Sequence, residues 1–238
     1  MAISTLLFLA ASLQSFVVVD SLPHHPEHFV QGLNLDGKEW IESTGLHGKS
    51  ALYRKFYHGE ILDSIKIDER HFGEGSVLLG NRVFWLTWKS KKAFVLDAKP
   101  FRFRKEFKIP SEGWGLSVWN GLLLMSNGTH ELYQLSPENL AVLGVIEVKD
   151  QGQKIQKLNE LEVVGNTLYA NIWMSDSIAA IDLKSGQVLY YLDFHDLASA
   201  LRKKHPQAEV LNGIAYEAPY LWITGKNWPK LYKIKLNP

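Results

Sequence analysis

Short apolar or alternating runs of six to eight residues follow one another along the chain, cut by turn signals. Such runs between turn residues mark strands, and the 3.6-residue period of an amphipathic helix is nearly absent. The runs come in a repeating order. A turn such as Asp36-Gly37, Gly80-Asn81, Asn120-Gly121 or Gly165-Asn166 leads into a run rich in aromatic and aliphatic residues. These runs are EWIEST, RVFWLTW, LLLMSN, TLYANIW and YLWITG. A second set follows (ALYRKFY, KAFVLDA, ELYQLS, SIAAIDL, KLYKIKL), then a third (EILDSIKI, RFRKEFKI, AVLGVIEV, QVLYYLDF). Only DLASALRKKH, residues 196–205, reads as helix.

Ahead of each turn stands a related tripeptide: Gln31-Gly32-Leu33, Glu74-Gly75-Ser76, Trp114-Gly115-Leu116, Asn159-Glu160-Leu161 and Asn212-Gly213-Ile214. These anchors recur every 40 to 53 residues, the length of a four-stranded propeller blade. The pattern predicts an all-β, five-bladed β-propeller. The fifth unit has three strands before the sequence reaches Pro238, and SFVVVDSL near the N-terminus is a spare strand. Pairing the two closes the ring, giving a single domain over 16–238. The helix falls in the longest step. The rival is a stack of hairpins in a sandwich or barrel.

In a propeller the first strand of each blade lines the axis, so Gln31, Glu74, Trp114, Asn159 and Asn212 are expected to meet there. The bland reading is a water-filled channel with polar walls. Fourteen residues beyond the anchors stand Gly45, Trp88, Gly128, Trp173 and Lys226. The second strand returns toward the start of the first, so this second ring is expected at the same mouth. The two sets together predict a small-ligand pocket with aromatic walls, one carboxylate, one cation and several amides. The two second-ring glycines are expected to make room for the ligand. Each member also has an ordinary reading: strand tryptophans as core, Lys226 as a solvated loop residue, the asparagines as turn residues.

Composition narrows the chemistry. The net charge of +1 gives no electrostatic footprint for nucleic acid. The absence of Cys removes disulfides, thiol catalysis and Cys-type zinc sites. The nine His show no metal-binding spacing, and His24-His25 stand in a loop before Pro26, so no metal and no cofactor are expected. There is no phosphate-binding glycine loop and no G-x-S-x-G elbow. Leu6 to Ser12 is apolar and ends in small residues, though no Lys or Arg precedes it. It is too short to span a bilayer. A signal peptide over 1–15 and a secreted or periplasmic protein are the expectation.

From about residue 23 to 236 the chain carries PHHPEHFVQGL, IESTGLHGKS, HFGEG, LTWKSKKAFVLDA, EGWGL, KLNELE, YANIW, LNGIAY and TGKNWPKLY. With these motifs it resembles the plant and bacterial type of glutamine cyclotransferase. The resemblance implies a five-bladed propeller that works without zinc. It turns the N-terminal glutamine of a peptide or protein into pyroglutamate and releases ammonia. It implies Glu74 as the general acid and base, and Lys226 and Asn159 beside the developing oxyanion. It implies Trp88, Trp114 and Trp173 as the pocket that packs the substrate, with Phe29 and Gln31 at its mouth. Asn212 joins the binding residues as the fifth anchor. Gly73 and Gly75 are then expected to let the substrate approach Glu74 closely. A monomer with no membrane partner is expected.

Two positions depart from that family: Asn127 and His25 stand where Asp is usual. Neither is assigned to proton transfer; Asn127 bears on pocket charge or an ion site in the channel. The alternatives are a propeller that binds without catalysis and a metal-dependent propeller hydrolase such as a lactonase.

Overall fold

The computed structural model describes residues 11–238. Five four-stranded antiparallel sheets radiate from one axis. Blade one is built from Val30–Asp36, Glu39–Thr44, Ala51–Phe56 and Ile61–Lys66. Blade two uses Gly73–Leu79, Arg82–Thr87, Lys92–Ala98 and Phe101–Lys108. Blade three uses Leu116–Trp119, Leu122–Ser126, Glu131–Leu135 and Val142–Glu147. Blade four uses Leu158–Val164, Thr167–Ile172, Ser177–Asp182 and Val188–Asp193. Blade five has Leu211–Glu217, Tyr220–Gly225 and Lys230–Leu236, with Phe16–Pro23 as its outermost strand. The predicted closure is therefore present, running from Phe16 opposite Leu236 to Pro23 opposite Lys230 with a one-residue shift between Val18 and Asp20.

The turns between first and second strands use the left-handed residues the sequence offers. Gly37, Gly80 and Gly165 all have positive φ, as do Asn120 and Gly121 together. Only glycine and, less readily, asparagine adopt this region at low cost. The core is not one mass. It divides into five apolar clusters, one between each pair of adjacent blades. Trp40 and Trp222 meet edge to face, 5.6 Å apart, between blades five and one. This is why the second strands are so apolar: both of their faces are covered.

The helix spans His195–Lys204, one residue from its expected position. It buries Ala198 and Leu201 between blades four and five. Two short elements were not legible in the pattern. One is a hairpin of Lys149–Asp150 with Gln153–Lys154. The other is Ser12–Leu13, which pairs parallel to Tyr190-Tyr191 on the rim of blade four. Residues 1–10, most of the expected leader, lie outside the described residues.

Candidate active site

The axis is not a water-filled channel along its length. At Gly32, Gly75 and Gly115, the positions after three of the anchors, a neighbouring strand's backbone comes too close for any side chain, and Gly213, after a fourth, has positive φ. A Cβ on Gly32 would stand 2.6 Å from the Ser76 amide, and one on Gly75 2.5 Å from the Trp114 carbonyl. On Gly115 it would collide with the Asn159 carbonyl. A hydrogen-bonded belt joins the blades here. Asn34 Nδ2 donates to Ser76 O (2.9 Å) and Gly75 N to Trp114 O (2.7 Å). Ser126 Oγ donates to Asn159 O (2.6 Å). Gly213 N donates to Asn171 Oδ1 (3.0 Å), and Asn212 Nδ2 to Val30 O (2.9 Å).

Above this closed waist the mouth opens into a cavity of about 250 Å³. Phe29, Gln31, Phe72, Glu74, Trp88, Trp114, Asn159, Trp173 and Lys226 line it. Eight of the nine residues assigned from sequence thus share one pocket. The ninth, Asn212, is fully buried beneath it and does not line it. Its Nδ2 also reaches Gln31 Oε1 (3.4 Å), so it holds the Gln31 amide rather than facing the cavity. Trp114 precedes the short first strand of blade three instead of lying in it.

Two expectations are corrected by the geometry, and one wall residue is added. Gly45 and Gly128 do not leave space for a ligand. A Cβ on Gly45 would run into the Phe72 ring, and one on Gly128 would sit 2.6 Å from the Trp114 indole. These glycines make room for the cavity walls. Nor do Gly73 and Gly75 clear a path to Glu74. Gly73 packs under the Trp85 indole of its own blade and against the Thr44 carbonyl of blade one, and Gly75 lies against the Trp114 carbonyl. Finally, the pocket needs Phe72, which was not expected. It stands two residues before Glu74, as Phe29 stands two before Gln31, and this repeated offset is the signal that would have found it.

The walls are two aromatic groups. Trp114 and Trp173 meet edge to face at 5.5 Å. Phe72 contacts Trp88 at 5.6 Å and Phe29 at 6.1 Å. The Lys226 ammonium lies 4.5 Å from the centre of the Phe29 ring, a cation–π placement. The Lys226 backbone is fixed at both ends, its N–H donating to Val210 O and its carbonyl accepting from Glu209 N. Trp114 Nε1 and Asn159 Oδ1 are buried without a hydrogen-bond partner among the described residues.

Glu74 and Lys226 are both nearly inaccessible. Burial pushes the Glu74 carboxyl well above its ordinary range, with Lys226 pulling it back down and Glu112 pushing it up. Burial lowers the Lys226 ammonium, and Glu74 opposes that shift. A carboxyl whose hold on its proton is raised by burial, beside a desolvated cation, suits proton transfer combined with stabilisation of negative charge.

His24, His28 and Glu42 bring three metal-ligating atoms together away from the cavity. Lys55 Nζ already stands 2.6 Å from Glu42 Oε2, and His24 Nε2 2.8 Å from the same oxygen. The lysine supplies the positive charge a metal would bring, and it holds Glu42 well below the ordinary carboxylate range despite complete burial. Asn127 sits off the cavity in a local turn. Its Oδ1 accepts from Thr129 N (3.1 Å) and Oγ1 (2.6 Å), and its Nδ2 donates to Ser111 Oγ (3.3 Å).

A family model described as glutamine cyclotransferase matches residues 5–236. A glutaminyl-peptide cyclotransferase of Arabidopsis thaliana is 39% identical over 234 residues, which is 96% of this chain and 73% of that protein. The crystal structure of Myxococcus xanthus glutaminyl cyclase superposes with a TM-score of 0.87 at 31% identity, covering 95% of this chain and 98% of that one. BamB from Moraxella catarrhalis, at 10% identity and a TM-score of 0.52 over 93% of this chain and 98% of that one, shares fold alone.

Proposed function

The chain belongs to the glutamine cyclotransferase family, and from that premise we propose how its cavity converts an N-terminal glutamine to pyroglutamate. The glutaminyl residue enters between the two aromatic groups, and the rest of the peptide stays outside. The α-amine attacks the carbon of the side-chain amide, forming the ring C–N bond. Glu74 takes a proton from the attacking nitrogen and delivers one to the departing amide nitrogen, which leaves as ammonia. The carbonyl oxygen becomes an oxyanion between the Lys226 ammonium and the Asn159 amide. Preorganised donors of this kind are worth about 3–4 kcal/mol each. Gln31, oriented by Asn212, holds the substrate at the mouth.

One observation carries the reading. Among the described residues Glu74 is the single carboxylate lining the cavity, and it shares that enclosed aromatic space with one buried cation. A metal-dependent hydrolase needs several anionic ligands around one ion. The reaction written here needs one acid and base, and no metal. The test is ammonia release and pyroglutamyl product from a Gln-Ala dipeptide after chelator treatment, with Glu74→Gln beside it. Chelator-resistant turnover by the wild type, lost in a folded Glu74→Gln, supports the mechanism. Loss of turnover on chelation, or an active Glu74→Gln, overturns it.

Export and a monomeric state belong to the same proposal. The strand that closes blade five starts at Phe16, so removal of a leader over 1–15 keeps the ring closed and gives up only the Ser12–Leu13 pairing on blade four. N-terminal sequencing of the protein recovered from outside the host cytoplasm, with its elution volume on size exclusion, tests both.

A further inference from the structure

Four of the five anchors are followed by glycine; the fourth is followed by Glu160. At the equivalent position of blade four stands a full side chain instead. Glu160 is buried, and its carboxyl accepts from Leu33 N (3.2 Å) in blade one and from Ile214 N (2.8 Å) in blade five. Blades four and one are not neighbours, so the first of these bonds crosses the axis. Leu33 lies two residues beyond Gln31, and Ile214 two beyond Asn212. Glu160 itself follows Asn159. One carboxyl therefore ties together the three strands that carry the three amides at the floor of the cavity.

We propose that Glu160 is a positioning residue for cyclisation: it sets the Asn159 and Gln31 amides in register with each other and with Glu74. The proposal rests on the function above. Asn159 has no side-chain partner on Oδ1, so the backbone that carries it fixes its aim. The Asn159 carbonyl is held by Ser126 on one side, and the Glu160 side chain is the tether on the other. Burial raises the Glu160 carboxyl well above its ordinary range, with nearby Glu162 adding to the effect. The two backbone N–H bonds it accepts, from Leu33 and Ile214, oppose that shift.

Two steps further along the same strand, Glu162 Oε1 accepts from Tyr216 N (2.8 Å). This is also a carboxyl-to-amide bond from blade four to blade five, but farther from the cavity. It is the internal control. Glu160→Gln keeps the size and one acceptor and loses the other. Glu162→Gln keeps its acceptor toward Tyr216. The expected result is a folded Glu160→Gln whose kcat on Gln-Ala falls about tenfold to a hundredfold, with KM within about threefold, because a misplaced stabilising group acts on the transition state. Glu162→Gln keeps wild-type kinetics.

The second readout does not depend on turnover. The side-chain amide NMR signals of Asn159 and Gln31 shift in Glu160→Gln, and the Leu33 and Ile214 amides exchange faster. Wild-type kcat in a folded Glu160→Gln, a loss confined to KM, or unmoved Asn159 and Gln31 amide signals overturns the proposal. If wild type itself does not act on Gln-Ala, it is the cyclisation reading that fails. The amide signals then still decide whether Glu160 sets the register.

Discussion

Glu74 and Lys226 each oppose the shift that burial imposes on the other. Removing the cation must therefore raise Glu74 further. Lys226→Ala is expected to lower kcat on Gln-Ala by about 10²–10³-fold, the cost of one lost oxyanion donor. It should also move the acid limb of its residual pH–rate profile to higher pH. An unmoved limb would separate Lys226 from the carboxylate it is said to tune. The wild-type limb itself should lie above the ordinary glutamate range, since the base form of Glu74 is needed and its pKa is raised. The same shift carries a stability cost. The unfolded chain loses the Glu74 proton near pH 4.5 while the folded chain keeps it to higher pH, so stability falls as pH rises through that window. Glu74→Gln should then melt higher than wild type at neutral pH while losing turnover. A lower melting temperature with the fold intact would show that the charge is stabilised, not strained.

At the scale of the strand, what a glycine faces decides its role, and a sequence does not give that. The repeat brings the anchors Glu74 and Asn159 and, fourteen residues beyond their anchors, Trp88, Trp173 and Lys226 to one cavity, because equivalent positions on repeated blades meet by geometry alone. The apolar second strands and the spare N-terminal strand were legible for the same reason. Gly45 and Gly128 were also found by offset, yet their use as space for Phe72 and Trp114 depends on side chains from other strands. Asn212 followed the ring rule but turned beneath the floor, toward a backbone carbonyl that no pattern names. Gly45→Ala follows directly. The new methyl meets the Phe72 ring, which must swing into the cavity or out of the wall. The expected outcome is a folded protein with raised KM for Gln-Ala and little change in kcat, because the wall binds substrate and transition state alike. Gly115→Ala is different, because its neighbour is backbone. It should cost about 3 kcal/mol or more, at the upper end for overpacking, seen as a lower denaturant midpoint. Near-wild-type stability would mean that the belt at the waist can yield.

For the whole molecule, closing five blades around one axis concentrates acidic side chains where water is scarce. Glu74, Glu160 and Glu162 all stand on first strands, and burial raises all three. Glu42, packed against Lys55 and His24, is shifted the other way. The two groups act on opposite flanks of the stability curve. The Glu42 contribution is present above pH 4.5 and is lost as pH falls through its lowered folded value. The first-strand carboxyls contribute with the reverse sign. Glu162 is pushed up to about 8 from an ordinary 4.5, so the unfolded chain ionises first and stability declines from about pH 4.5 to about pH 8. Maximum stability should therefore lie on the acid side of neutrality. Melting temperature measured from pH 4.5 to 9 tests this, with Glu162→Gln as the probe. The variant keeps the oxygen that meets Tyr216 and removes the titration. Its curve should start close to wild type at pH 4.5 and separate upward until about pH 8, then run parallel. Parallel curves over the whole range would mean that the Glu162 charge reaches water without strain, and the slope would then fall to Glu74 in the cavity and Glu160 on the axis.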